Sequence, residues 1–152
     1  MRLDHLLLPE HVLLDIPART REEVLYFVAQ ALERSGLVNS AEDLVDHLLE
    51  REKLGATVVG HEAAIPHCKL PSLKQVVVAF ARTQEPVPFG PEPKDRARFF
   101  FFVLSPPDEP AAHLQVLAEI ARLLRDRDVE AGLAKVKTPQ ELLVLLAKRD
   151  NA

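Results

Sequence analysis

An α/β (α+β) domain, with one mixed β-sheet sandwiched between helices, is the fold class this sequence predicts, and three observations predict it. Two segments, QVVVAFART and ARFFFFVLS, are near-continuous apolar runs rich in Val and Phe, as strands covered on both faces are. Around them stand segments whose apolar residues recur at helical spacing between capping residues. The chain has 152 residues, about the size that one hydrophobic core fills, so a single domain over residues 1–152 is expected. Strands alternating with helices indicate a layered arrangement and leave the strand order open.

Taken in order, HVLLDIP (11–17) reads as a short strand closed by proline. In TREEVLYFVAQALERSG, Val24, Leu25, Phe27, Val28, Ala31 and Leu32 mark a helical face; Thr20 and Glu23 have capping-box spacing and Gly36 suits the C-terminal cap, giving a helix over about 20–35. NSAEDLVDHLLEREKLG predicts a second helix, with Ser40 as cap, a buried stripe of Leu44, Val45, Leu48 and Leu49, and Arg51 in the last turn before Gly55. TVVG and AAI are short extended pieces on either side of His61 and Glu62. QEPVPFGPEPKDR (84–96), with its many prolines, is expected to be the loop between the two main strands. DEPAAHLQVLAEIARLLRDR predicts a helix with Asp108 as a possible cap and Leu114, Leu117, Ile120, Ala121 and Leu124 on one face. A short helix over about 128–135 follows. In TPQELLVLLAKRD, Thr138 pairs with Glu141 and Pro139 takes the first helical position, a strong start signal.

With 47% hydrophobic and 28% charged residues the chain is too apolar to be disordered, and a packed core is expected. A formal net charge of -4 opposes binding to nucleic acid or to an anionic membrane surface. The one cysteine, Cys68, has no internal disulfide partner. The charged start MRLDHLLLPEHVLLD breaks its apolar run too soon for a signal peptide or a spanning helix, so direct membrane insertion is not expected and a cytoplasmic setting is.

The stretch GHEAAIPHCKL draws attention to His67. Pro66 restricts its own torsion and that of Ile65, so IPH is expected to leave the strand at a defined angle and present the imidazole in a fixed place. His113 falls in the first turn of the helix after DEP, where unpaired amides favour a dianion and disfavour an imidazolium; a histidine there can donate a hydrogen bond to a phosphoryl group on His67. Arg51 offers a planar fork of donors suited to phosphate oxygens. The bland alternatives are a surface histidine on a turn, a solvated first-turn histidine and a charge complementing a helix C-terminus.

The pattern R-E-(x)4-T-(x)2-G-(x)3-A-I-P-H, from Arg51 to His67, resembles the phosphorylation-site segment of enzyme IIA domains of the phosphoenolpyruvate-dependent sugar phosphotransferase system, in the fructose, mannitol and nitrogen-regulatory class. HLQVLAEIARLL, from His113, resembles that family's second histidine segment, in the same order and spacing. The resemblance implies a mixed sheet between helices and a phosphoryl carrier. An HPr-like protein would phosphorylate His67, which would pass the group to an enzyme IIB domain for sugar uptake, while His113 and Arg51 would stabilise it. Neutral imidazole is a nucleophile near pH 7, and its phosphoramidate is reactive enough to hand the group on. No Gly-x4-Gly-Lys-Ser/Thr loop and no carboxylate cluster of metal-site character is present, so no cofactor is expected and the donor should be another protein.

Two positions depart from the family pattern. Cys68 follows the acceptor where glycine is usual, and Glu62 stands where glycine or another small residue is common. Cys68 is expected to be a small buried residue, and Glu62 to point outward. Two other readings stand beside the carrier. A regulatory protein would use the phosphorylation state of the same His67 to control binding to protein targets. A zinc site built on His61, His67 and Cys68 is the more remote one, since their spacing matches no common zinc pattern.

Overall fold

The two apolar runs are the central pair of one six-stranded sheet. The computed structural model describes residues 2–150. Strands β1 (Val12–Ile16), β2 (Val58–Gly60), β3 (Ala63–Ala64), β4 (His67–Lys69), β5 (Val77–Pro88) and β6 (Arg96–Ser105) lie in the order β1-β5-β6-β3-β2, with β4 also on β6. The sheet is mixed: β5 and β6 are antiparallel, β1 runs parallel to β5, and β3 and β4 run parallel to β6.

Helices cover both faces, which is why β5 and β6 are apolar at successive positions rather than at alternate ones. Odd and even residues serve different layers. Ala79 and Ala81 of β5 with Phe100, Phe102 and Leu104 of β6 pack under α2 (Arg21–Arg34) and α3 (Ala41–Glu52). Val78 and Phe80 with Phe99, Phe101 and Val103 face the opposite layer, made by α1 (Leu3–Leu6), α4 (Pro110–Leu124), α5 (Arg127–Lys135) and α6 (Pro139–Asp150). The fold class is the expected one.

The caps anticipated from sequence form at α2, α3 and α6. Thr20, Ser40 and Thr138 accept hydrogen bonds from the amides of Glu23, Asp43 and Glu141, each at 3.1 Å. Gly36, at φ 81°, lets the chain turn back so that the Leu37 amide reaches the Leu32 carbonyl. Asp108 is not a cap: α4 begins after Glu109, whose side chain makes no capping bond, and the proline at the first helical position needs no partner for an amide hydrogen it lacks. The buried face of α4 also differs from the expected one. Val116, Ile120, Leu123, Leu124 and His113 are inside, whereas Leu114 is 65% exposed. Ile120 and Leu124 of the expected face are kept, but His113, whose burial hydropathy does not anticipate, takes the inward place at the start of the helix.

Two extended segments exceed what the sequence suggested. Strand β5 runs on to Pro88, through part of the proline-rich stretch 84–96 read as a loop. Its pairing with β1 ends at Ile16 opposite Thr83, and its register with β6 shifts between Arg82 and Val87. Pro86 and Pro88 therefore lie where a missing amide donor costs little. In that gap Arg98 and Arg96 donate to the carbonyls of Thr83 and Pro86, at 2.9 and 3.2 Å.

Nor does the chain leave the sheet after Pro66. Ala63 and Ala64 pair with Phe99 and Phe100, and His67, Cys68 and Lys69 resume with Val103, Leu104 and Ser105 at the same offset. Pro66 interrupts the ladder for want of a donor, yet its carbonyl still accepts from the Val103 amide at 3.0 Å. The proline pauses a strand in register rather than ending it.

Candidate functional site

His67 opens β4, and both layers of helices reach it there. Residues that face each other across β4 and β6 share a side of the sheet, so His67, Lys69, Val103 and Ser105 project one way while Cys68 and Leu104 project the other. Arg51, in the last turn of α3, arrives from the first layer. His113, the fourth residue of α4, arrives from the second.

The protonation of His67 follows from its two partners. Its Nδ1 lies 2.7 Å from the Ile65 carbonyl oxygen, which can only accept, so Nδ1 carries the hydrogen. Nε2 receives the Nε–H of Arg51 at 3.2 Å, so Nε2 holds a lone pair. Burial, opposed by the Ile65 hydrogen bond and aided by the Arg51 charge, depresses the imidazole below its ordinary range. The ring is thus neutral at pH 7, half-buried, with its nucleophilic nitrogen already beside a guanidinium. Arg51 is itself held by an Nη1–H bond to the Gly55 carbonyl at 3.3 Å.

His113 is 6% exposed and therefore not a solvated first-turn residue. Its ring centroid lies 5.5 Å from that of His67, tilted by 58°. The buried hydroxyl of Ser105 meets its Nδ1 at 2.6 Å. Burial, then the neighbouring His67 and the Lys69 charge, lower its proton affinity. Its own amide is bonded to the Glu109 carbonyl, so the side chain is what it contributes to the site.

The three predicted residues thus come together and line one open groove of about 570 Å³. Lys69 and Glu50 supply charge at its margin, and Leu54 (82% exposed) and Leu114 (65% exposed) present apolar side chains beside it. A neutral ring nitrogen flanked by a guanidinium and a second imidazole can take up a group whose oxygens are anionic.

Of the two departures from the motif, Cys68 borders the groove but adds no reactive group to it, and Glu62 lies elsewhere. Cys68 points into the core beneath α2 and α3, and burial pushes its thiol up to about 12. It is therefore a packing residue rather than a reactive one. His61 and Glu62 have φ of 53° and 59° and form the two-residue turn between β2 and β3, a conformation that favours glycine. The exposed Glu62 lines a different groove with Arg98 and Arg127, and His61 pairs with Glu130 at 3.1 Å. His61, His67 and Cys68 consequently do not converge, and among the described residues no group of three His, Cys, Asp or Glu could hold a metal ion.

Sequence reasoning missed four supporting groups. Glu52 and Thr57 stand inside the quoted motif and could have been singled out: the Thr57 hydroxyl lies 2.8 and 3.0 Å from the two carboxylate oxygens of buried Glu52, closing the loop just after Arg51. The Ile65 carbonyl and Ser105 left no signal, because one is backbone and the other ends an apolar run.

A mixed sheet covered on both faces, with two histidines and an arginine gathered at a strand edge, defines the class of protein. Residues 5–149 match the model of the phosphoenolpyruvate-dependent sugar phosphotransferase system EIIA 2 family, and the chain belongs to that family. It is 36% identical over 148 residues to a nitrogen regulatory protein of Bradyrhizobium diazoefficiens, covering 97% of this chain and 95% of that one. The crystal structure of the nitrogen regulatory protein IIA-Ntr from Neisseria meningitidis superposes with a TM-score of 0.87 at 30% identity, over 95% of this chain and 98% of that one. The enzyme IIA mannitol structure, solved in complex with phosphorylated enzyme IIB from Escherichia coli, gives 0.76 at 32% identity, over 92% and 96%. No helix among the described residues is long and apolar enough to cross a membrane.

Proposed function

We propose that this protein carries a phosphoryl group on Nε2 of His67, taking it from a phosphohistidine of an HPr-like donor and passing it to an enzyme IIB domain. The observation that carries the reading is the fixed neutral tautomer of His67, whose lone pair faces Arg51 beside a second imidazole. The lone pair attacks the donor's phosphorus; the Nε2–P bond forms as the donor's N–P bond breaks, and that electron pair returns to the donor ring. The proton stays on Nδ1, donated to the Ile65 carbonyl, and the positive charge gained by the His67 ring is the one the donor ring gives up. Arg51 exchanges its bond to the ring nitrogen for one to a phosphoryl oxygen, and His113 donates to another. Alignment and charge stabilisation then supply most of the rate. Protein-to-protein exchange of this kind belongs in the cytoplasm.

The test is incubation with phosphoenolpyruvate, enzyme I and HPr, followed by intact mass and phosphorus NMR. One phosphoryl group should appear on the wild type and none on His67→Ala, while His113→Ala stays folded and is labelled more slowly. Wild type that takes up no label, or equal labelling of both variants, would refute these roles.

A second reading is favoured by the similarity, over nearly the full length of both chains, to nitrogen regulatory proteins. There the phosphoryl group on His67 would act as a switch, since a dianion in the groove beside Leu54 and Leu114 changes which protein docks. Affinity capture with phosphorylated and unphosphorylated protein separates the two: transfer onward to an enzyme IIB domain supports the carrier, and a target retained in one state alone supports the switch.

A further inference from the structure

We propose that Ser105 is a positioning residue for phosphoryl transfer, its hydroxyl donating to Nδ1 of His113 and so holding that ring as the neutral tautomer with the proton on Nε2. The kinetic part of this inference rests on the reading of His67 as acceptor; the tautomer itself does not.

A hydroxyl has one hydrogen to place. Ser105 is 0% exposed, and Nδ1 of His113, 2.6 Å away, is the hydrogen-bond partner its side chain has among the described residues. If Nδ1 carried the proton, the ring would donate to Oγ and the hydroxyl hydrogen would be left buried without an acceptor, at the full desolvation cost of that group. An imidazolium would orphan it in the same way, and would place a charge in a buried position beside His67, in a groove that the cations Arg51 and Lys69 also line. Only the Nε2–H form satisfies both partners. Nδ1 being taken, Nε2 is the ring nitrogen left for the groove that His113 lines.

The sheet fixes this arrangement, not the helix alone. Ser105 pairs with Lys69 in β4, two residues along from the pairing of His67 with Val103. The acceptor and the anchor of the second histidine are thus set by one register. A neutral N–H donor also suits a group that must leave again, because it steadies the phosphoryl oxygens without adding an ion pair that would hold the group back.

Long-range proton–nitrogen NMR on the unphosphorylated wild type reads the tautomer directly. His113 should show a protonated Nε2 and an unprotonated Nδ1; a protonated Nδ1 would overturn the proposal. Ser105→Ala should shift the ring toward the other tautomer and slow labelling of His67 by about tenfold, the size expected for one hydrogen bond. Ser105→Thr, which keeps the hydroxyl, should restore the wild-type nitrogen pattern. In a His113→Ala background, Ser105→Ala should slow labelling no further. An equal loss in both backgrounds, or unchanged labelling, would refute the positioning role. If Ser105→Ala does not fold, the wild-type spectrum still decides. Should wild type accept no phosphoryl group, the reading of His67 fails while the spectrum still judges Ser105.

Discussion

Three histidines, His11, His67 and His113, are held neutral in the folded protein, each shifted below the ordinary value of 6.5 chiefly by burial. In the unfolded chain each takes up a proton near that value while the folded form does not, so their stabilising effect is complete above about pH 6.5 and declines below it. Glu52 works in the other direction, since burial raises its carboxyl above the usual value of 4.5, and one carboxyl stands against three imidazoles. The urea midpoint should therefore fall between about pH 7.5 and pH 5.5, where the histidine effect dominates. A midpoint constant across that interval would contradict it. Replacing His11, which is 3% exposed, bonded to Ser35 and outside the phosphoryl groove, by Gln should make the decline shallower.

At the scale of elements, the loop between α3 and β2 decides where Arg51 sits. The Thr57 hydroxyl donates to Glu52, whose carboxyl the Thr57 backbone amide also meets, and the Thr57 carbonyl takes the Ile65 amide at 3.0 Å. Thr57→Val should destabilise the fold by about 1–3 kcal/mol, because the buried carboxylate loses its side-chain donor while the shape is kept. Thr57→Ser, which keeps the hydroxyl, should cost less. Urea titration of the two variants measures the difference, and equal midpoints would show that the carboxylate does not depend on the hydroxyl. The helices were readable at this scale because Thr20, Ser40 and Thr138 cap them through local contacts. The four-residue helix Leu3–Leu6 and the turn Pro9–His11 were not, since a single turn shows no periodicity. The continuation of β5 through Pro86 and Pro88 was hidden too, for proline marks a loop unless the neighbouring strand has already ended.

Across the whole molecule, Arg82 of β5 ties β1 to the end of α5. It is 4% exposed and bonds both oxygens of Asp15 in β1, at 3.0 and 2.9 Å. It also donates to the carbonyls of Leu133 and Val136, at 3.0 and 2.7 Å, where α5 ends. Arg82→Met should lower stability by roughly 2–4 kcal/mol, through carbonyls left without donors, and leave the rate of His67 labelling per folded molecule unchanged. A matching loss of labelling in fully folded variant would show instead that this staple reaches the phosphoryl site. By itself the sequence determined the layers and three of the caps and singled out His67, His113 and Arg51, which the fold gathers in one groove, because periodicity, capping and motif spacing are carried by neighbours along the chain. The tertiary structure alone decided that His67 restarts a strand in register, that its proton sits on Nδ1, and that Ser105 meets the second imidazole. Those outcomes depend on a carbonyl, a guanidinium and a hydroxyl brought from separate elements, and no local pattern records which groups the fold will set side by side.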